Sequence, residues 1–213
     1  GPVDLLLWGA FQTGSWGTDD HAATAVALEL GMQPRLASLQ PWLRIGFFRG
    51  SGDGDPADGE HDTFFQVLPT PRPYARFPFY NFSNTTEVFA TAAVKPHRDA
   101  TLRAGARRLR LSEDADLWYV GGGAFEDETF GYAGRPSGGE KGLATVLDLG
   151  LTVTPASWVT VEAYGALALE GDVIRGIYPE GGRRPLAYLD IELRRSRGRG
   201  RKATRSQQRR LVL

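Results

Sequence analysis

The sequence lacks cysteine, long apolar runs and helical periodicity. The absence of cysteine excludes disulfide bonds and thiolate metal sites. No run approaches the ~18 apolar residues that a transmembrane helix needs. The histidines (His21, His61 and His97) lie far apart along the sequence, and the G-x-S-x-G motif of serine hydrolases does not occur. These absences argue against a disulfide-bonded scaffold, a helical membrane protein and the common nucleophilic enzymes.

Positive charge is concentrated at the C-terminal end. The chain has 25 basic and 25 acidic residues, so its formal net charge is zero. Residues 194–213 hold nine of the Lys and Arg residues and no acid, which leaves residues 1–193 at about −9. We therefore predict an acidic folded body and a basic, disordered tail. Such a tail would attract nucleic acid only non-specifically, so no specific nucleic-acid partner is expected.

Apolar and polar residues alternate with a period of two in eight segments, which is the pattern of β-strands with two different faces. The segments are 3–14, 21–32, 42–49, 87–95, 101–111, 143–153, 159–169 and 186–193. In the fifth segment the alternation changes phase at Arg107-Arg108, which predicts a β-bulge there. The sequence therefore predicts an all-β protein with eight long strands.

The lengths of the strands and of their connections favour a membrane barrel. Strands that cross a bilayer at a tilt need ~9–11 residues, which these segments provide. Short connections alternate with long ones, and only the hairpin at 14–20 departs from this rule. Short turns on one side and long loops on the other are typical of outer-membrane barrels. A soluble protein with long alternating strands remains the alternative that alternation alone leaves open.

Residues 53–82 form the longest connection, with an acidic, glycine-rich first half and an aromatic, proline-rich second half. The prolines exclude a regular helix, and loops of this length inside a domain are usually functional. We expect this loop to fold into or over a pore. Its carboxylates at Asp53, Asp55 and Asp58 suggest a weak calcium candidate. Their spacing does not match an EF-hand, and a solvated acidic loop is the preferred interpretation.

Four stretches of unusual composition carry a resemblance to a known family. They are DGDPADGEHDTFFQVLPTPRPYARFPFYN at 53–81, KPHRDATLRAGARRLRLSEDADLWY at 95–119, LWYVGGGAFEDETFGYAGRPSGG at 117–139 and GDVIRGIYPEG at 171–181. These stretches resemble the alginate-export family of outer-membrane porins. The resemblance implies an antiparallel transmembrane β-barrel of the eighteen-stranded type in the bacterial outer membrane. Residues 1–193 would supply about eight strands of its C-terminal part, and residues 194–213 depart from the family.

If the apolar face of the strands meets lipid, the other face lines the lumen. The arginines predicted to line the pore or to contact substrate are Arg44, Arg103, Arg107 and Arg110 on strands and Arg72 and Arg76 in the long loop. The acids expected to pair with them are Glu29, Asp148, Glu162, Asp190 and Glu192. Guanidinium groups match carboxylates with paired donors, and a ring of them selects anions. The alternative is a set of structural ion pairs inside a polar barrel.

Together these features predict an outer-membrane channel that exports an anionic, alginate-like polysaccharide by passive conduction. The expected partners are the polysaccharide, outer-membrane lipid and periplasmic export proteins, with a monomeric barrel when complete. No cofactor and no enzymatic activity are expected, although abundant carboxylates leave a glycosidase pair open. Two further alternatives are a non-conducting β-barrel module that binds an acidic sugar or lipid, and a truncated product without a function of its own.

Overall fold

The alternating segments form eight long strands in a computed structural model of the chain, which describes residues 2–35, 39–66, 80–121, 132–181, 183–194 and 210–212. In chain order, the elements are β1 (Val3–Trp16), β2 (Asp19–Met32), β3 (Trp42–Gly50), β4 (Glu60–His61), β5 (Thr85–His97), β6 (Ala100–Leu111), β7 (Leu117–Gly121), β8 (Tyr132–Pro136), β9 (Gly142–Ala156), β10 (Val159–Glu170), α1 (Asp172–Ile177), β11 (Arg183–Leu193) and β12 (Arg210–Val212). Each predicted segment corresponds to one long strand, so the all-β prediction is confirmed.

The long strands build one antiparallel sheet in the order β1-β2-β3-β5-β6-β9-β10-β11, with β12 beside β11. The short β4 pairs in parallel with the start of β2, and β7 and β8 form a separate hairpin. Among the described residues, β1 pairs only with β2, which leaves the sheet open at that edge. An open, long-stranded antiparallel sheet is consistent with part of a barrel wall. The described chain contains no helix that is long and apolar enough to cross a membrane.

The two ends of the sheet differ in their connections. At one end, which we call the turn end, short segments join β5 to β6 and β9 to β10, and residues 33–41 join β2 to β3. At the other end, which we call the loop end, the connections after β3, β6 and β10 are longer. The tight β1–β2 turn also lies at the loop end, where Gly17 adopts a φ of 63° that favours glycine. The alternation of connection lengths therefore separates two chemically different rims.

The outer face of the sheet exposes a broad set of apolar side chains. On β9, Leu147, Leu149 and Leu151 are 45%, 55% and 41% exposed, and Ile45 on β3 is 58% exposed. Apolar residues at alternate positions of the neighbouring strands lie on the same face. Monomeric soluble proteins rarely leave apolar patches of this extent uncovered. A wall that faces lipid requires such a surface.

Loops cover the inner face of the sheet near the loop end. One apolar cluster joins inner-face residues of β6, β9 and β10 to Trp118 of the β7–β8 hairpin and to Val173 and Ile174 of α1. A second cluster joins Phe48 and inner-face alanines of β2 to Phe64 and Phe82 of the long loop. Each Val, Ile or Phe side chain in these clusters, when fully buried, contributes roughly 1.5–3 kcal/mol. The described parts of the loops are therefore held against the inner face.

The bulge predicted at Arg107-Arg108 is wrong. β5 pairs with β6 in one unbroken register across this point, and the shift against β9 lies between Leu109 and Arg110. The alternation of buried and exposed residues continues through Leu111 without a change of phase. Leu109 and Leu111 are apolar because they pack beneath the loops on the inner face. From the turn end to the loop end, the inward residues of β6 change from polar to apolar. In the sequence, this change looks like a slip in the phase of the alternation.

The C-terminal segment contributes one short strand. Backbone pairing places β12 antiparallel to β11, with Leu211 opposite Ile191. Residues 195–209 and 213 lie outside the described part of the chain. The division into a barrel body at 1–193 and a disordered tail at 194–213 stays a prediction.

Candidate functional site

Neighbouring strands place charged residues side by side on the inner face. Between the loop-covered region and the turn end, one row of register partners runs across six strands. The row consists of Asp4, Gly31, Arg44, Thr91, Gly105 and Asp148. Small residues separate the charged ones along this row, so each long side chain can lie over a small neighbour. The arrangement forms a polar wall between the apolar loop clusters and the turn end.

Arg44 on β3 is held by carboxylates from β1 and β2. Its Nη1 donates to Glu29 Oε2 at 2.8 Å, and its Nη2 donates to Asp4. Its guanidinium also lies 4.8 Å from the centre of the Trp42 ring, within range for a cation–π interaction. Gly31 leaves room for this cluster, because a Cβ there would overlap the Asp4 carboxylate. Arg44 is therefore fixed at the wall, with 18% of its side chain exposed.

Arg107 on β6 is buried between two carboxylates. Its Nη1 donates to Glu87 Oε1 at 3.2 Å, and its Nη2 donates to Asp148 Oδ2 at 3.3 Å. The three side chains are only 3–6% exposed. A Cβ at Gly105 would lie 2.8 Å from Asp148 Oδ1, so glycine is needed beside this network. Arg107 faces inward, as the sequence predicts. Its side chain is buried between two carboxylates, so it stabilises the wall and is not accessible to a substrate.

Arg103 lines a cavity on the inner face of β6, β9 and β10. The cavity is formed by Thr101, Arg103, Asp148, Gly150, Thr152 and Tyr164. The Arg103 guanidinium lies 6.0 Å from the Trp42 ring. Trp42 thus has two arginines, Arg44 and Arg103, within cation–π range. An aromatic ring with guanidinium groups beside it can contact a sugar ring while the guanidinium groups contact its carboxylate.

The predicted acids of β10 and β11 lie on the inner face toward the turn end. Glu162 accepts a hydrogen bond from the Tyr188 hydroxyl at 3.1 Å. Glu192 accepts two hydrogen bonds from Arg194, at 3.1 and 3.2 Å. Asp190 Oδ1 is buried without a hydrogen-bond partner in the described structure. Carboxylates outnumber arginines on the described inner face, so its arginines act within an acidic setting.

Arg110 lies on the outer face and does not line the inner wall, which corrects the prediction for this residue. It is exposed and occupies the outward position opposite Thr86, as Arg108 does opposite Val88. The cause is the absence of the predicted bulge, because unbroken alternation turns both arginines outward. Arg72 and Arg76 lie outside the described residues, so their predicted substrate contact is a proposal only.

Asp116 anchors the long loop to the segment after β6. Its Oδ2 accepts hydrogen bonds from Thr63 Oγ1 at 2.5 Å and from the Asp53 backbone N–H at 3.0 Å. Its Oδ1 accepts from the Tyr119 hydroxyl at 2.9 Å and from the backbone N–H of Leu117 at 2.6 Å. Burial raises the pKa of the Tyr119 phenol far above its ordinary value. The cluster fixes both described loops over the inner face.

The calcium candidate does not assemble into a ligand cluster in the described structure. Asp53, Asp55 and Asp58 each accept a hydrogen bond from a backbone N–H two residues further on. Burial raises the pKa of Asp53, and the nearby Asp116 carboxylate adds to this effect. Within the described ranges, no group of three or more His, Asp or Glu side chains could hold a metal ion. The three carboxylates instead stabilise local turns of the loop.

Two histidines join the long loop to β2. His21 Nδ1 lies 2.7 Å from the His61 carbonyl oxygen and 2.9 Å from His61 Nδ1. The Trp16 ring stacks on His61 with a centroid distance of 4.5 Å and an interplanar angle of 2°. Burial lowers the pKa of His61, and the adjacent His21 lowers it further. This geometry suits a neutral His61, because a proton on its Nδ1 would point at the His21 N–H.

Several residues that shape the inner face were missed by sequence reasoning. Glu87 begins the fourth alternating segment and is next to the apolar Val88 in the sequence. The alternation therefore could have placed Glu87 on the inner face. Trp42 precedes Arg44 by two positions, so the same alternation could have placed Trp42 on the inner face. Asp116 carries no periodic signal because it lies in a loop, and only its contacts identify it.

A comparison with known protein families identifies the family of the chain. The sequence model of the alginate export family matches residues 1–180, a span that includes seven of the eight long strands. A search of curated proteins returned no match. Members of the family are outer-membrane porins, and the family name describes polysaccharide export. Since the match covers most of the sequence and agrees with the antiparallel sheet, the chain belongs to the alginate export family.

Proposed function

We propose that the chain forms the wall of a channel in the bacterial outer membrane, through which an anionic polysaccharide leaves the periplasm. The observation that carries this proposal is the contrast between the two faces of one sheet. The outer face exposes apolar side chains such as Leu149 and Ile45, whereas the inner face carries Arg44 paired with Glu29, and Arg103 at a cavity. A membrane channel for a charged polymer needs this combination.

Arg103 and Trp42 are the proposed contact point for the polymer. Arg103 lines an inner-face cavity, and the Trp42 ring lies within 6.0 Å of the guanidinium groups of both Arg103 and Arg44. The guanidinium groups can pair with uronate carboxylates, and the indole can pack against the sugar ring. Conduction is passive in this proposal, because each contact is weak enough for the polymer to leave.

The excess of carboxylates over arginines on the described inner face supports weak binding of the polymer. Glu29, Glu87 and Asp148 are almost fully buried and paired with arginines, so their charge is offset at short range. The wall then attracts a polyanion through the partly exposed guanidinium groups of Arg44 and Arg103 without holding it tightly. We also propose that the complete barrel works as a monomer and meets export proteins on its periplasmic side.

Polymer block of an ionic current tests this function. We expect the protein to form conducting channels in planar bilayers. Acidic oligouronates should interrupt the current in a length-dependent manner, whereas neutral oligosaccharides of equal length should not. Absence of conductance, or equal block by neutral and acidic oligomers, contradicts the proposal.

A non-conducting binding module is the second candidate. Apolar packing of Trp118, Val173 and Ile174 covers the inner face at the loop end, which favours a closed cavity over an open channel. Such a module would bind acidic oligosaccharides, detectable as a change in tryptophan fluorescence, and would pass no current. Binding together with measurable conductance rejects this candidate.

A further inference from the structure

Three arginines form a basic patch on the outer face at the loop end. Arg49 on β3 and Arg110 on β6 are both register partners of Thr86 on β5. Their strands are two spacings apart, so their backbones are separated by roughly 10 Å. Arg108 occupies the next outward position below Arg110. We call Arg49, Arg108 and Arg110 the outer basic patch.

The charge of the outer basic patch is only partly neutralised. Arg49 Nη2 lies 3.0 Å from Glu113 Oε1. Lys141 also pairs with acids at this end, with Nζ 3.5 Å from Glu113 and 3.2 Å from Asp114. Within the described ranges, Arg108 and Arg110 form no ion pair with an acid. Two guanidinium groups therefore face outward without a carboxylate partner from the described protein.

The position of the patch distinguishes it from ordinary surface charge. The outward positions beside Arg108 and toward the turn end are apolar and exposed, as at Phe47, Val88 and Leu147. Toward the loop end, the strands give way to the long connections. The arginines thus lie at the border between the apolar outer surface and the loops, which is where lipid headgroups meet a membrane wall.

We propose that the outer basic patch binds the phosphate groups of a phosphorylated glycolipid in the outer leaflet. The inference rests on the proposed function, since it requires the loop end to face outward. Guanidinium groups bind phosphate oxygens with paired donors. Arg108 and Arg110 provide the contacts, and Arg49 extends the patch toward β3. The Thr145 side chain, opposite Arg108 on the outer face, adds a hydroxyl group beside it.

Vesicle partitioning with matched lipids tests the inference. The protein is mixed with phosphatidylcholine vesicles that contain diphosphorylated lipid A, dephosphorylated lipid A, or phosphatidylglycerol at matched charge. We expect partitioning into the first to exceed partitioning into the other two by about tenfold. The double variant Arg108→Gln/Arg110→Gln should lose this preference, whereas Lys95→Gln/Arg98→Gln at the turn end should keep it. Circular dichroism verifies that both variants retain the sheet.

Three results would overturn the inference. Equal partitioning into phosphorylated and dephosphorylated lipid A would show that phosphate is not recognised. Equal partitioning into phosphatidylglycerol would reduce the effect to general charge attraction. Full competition by millimolar inorganic phosphate would identify an ion site and not a lipid site. If the unmodified protein enters none of the vesicles, the proposed function fails together with the inference, which separates that case from the others.

Discussion

Arg107 on β6 donates a hydrogen bond to Asp148 on β9 at 3.3 Å, and both side chains are almost completely buried. Glu87 on β5 completes the cluster from the other side of Arg107. One guanidinium thus links three neighbouring strands at the middle of the inner wall. Separating such a buried group from its partners costs more than losing an exposed ion pair.

Replacing Arg107 with Ala should destabilise the sheet. The substitution leaves Glu87 and Asp148 buried without their cation, which typically costs about 3–5 kcal/mol. Arg183→Ala is the matched control, because Arg183 is exposed at an outward position of β11, and it should change stability by less than about 0.5 kcal/mol. The measurement is the free energy of unfolding from urea titration in lipid vesicles. Equal stability of the two variants contradicts a structural role for Arg107.

A methyl group at Gly105 should disturb the same cluster. In Gly105→Ala, the new Cβ would lie 2.8 Å from Asp148 Oδ1 and displace this carboxylate from Arg107. We expect a loss of about 1 kcal/mol or more. Gly165→Ala on the outer face meets no atom within 4 Å and should be neutral or stabilising, since alanine replaces a flexible residue. The same urea titration compares the two, and a neutral Gly105→Ala variant would disprove the steric argument.

The strand pattern was readable from sequence because the outer face of the sheet is apolar along most of its extent, away from the basic residues near the loop end. Leu147, Leu149 and Leu151 must all be apolar there, so a period of two is unmistakable. The inner face is not uniform, since it is polar near the turn end and apolar beneath the loops. Leu109 therefore suggested a bulge that β6 does not contain, and Arg110 was assigned to the wrong face.

Loss of Asp116 should release the long loop. Asp116→Ala removes the acceptor for Thr63, Tyr119 and the Asp53 backbone N–H, and unsatisfied buried donors cost about 1–3 kcal/mol. We expect faster proteolysis within residues 51–66. Asp114→Ala is the control, because the Asp114 side chain is 45% exposed and forms a surface ion pair with Lys141. Equal proteolysis rates for the two variants count against the anchor.

The histidine pair should make the same loop sensitive to acid. The pKa of His61 is lower in the folded protein than the ordinary 6.5, so the unfolded loop binds protons more readily. The contribution of neutral His61 is fully present above pH 6.5 and is lost as the pH falls toward the folded pKa. The carboxylates of Asp116 and Asp19 partly oppose this shift.

Hydrogen exchange measures this pH dependence. The amide of Phe64 donates to the Ser51 carbonyl at 3.0 Å, and its protection factor should fall between pH 7.5 and 5. His61→Gln should remove most of the pH dependence, whereas His97→Gln at the exposed end of β5 should retain it. A pH-independent protection factor in the unmodified protein refutes the histidine mechanism.

The loop contacts could not be predicted because they depend on distant segments. Thr63 and Asp116 meet only after β5 and β6 have paired, and the sequence between them has no period that reports this approach. The acidic run at Asp53, Asp55 and Asp58 suggested a cation site because the sequence does not show which groups its carboxylates contact. Composition alone does not reveal that each carboxylate accepts a hydrogen bond from its own loop.

The reversal potential of the channel tests the central claim most directly. In a planar bilayer with a salt gradient, the account predicts that the unmodified protein prefers anions and that Arg103→Glu lowers this preference or inverts it. Arg183→Glu, which makes the same charge change on the outer face, should leave the reversal potential unchanged. Cation preference in the unmodified protein, or identical potentials for Arg103→Glu and Arg183→Glu, would contradict an export channel guided by inner-face arginines.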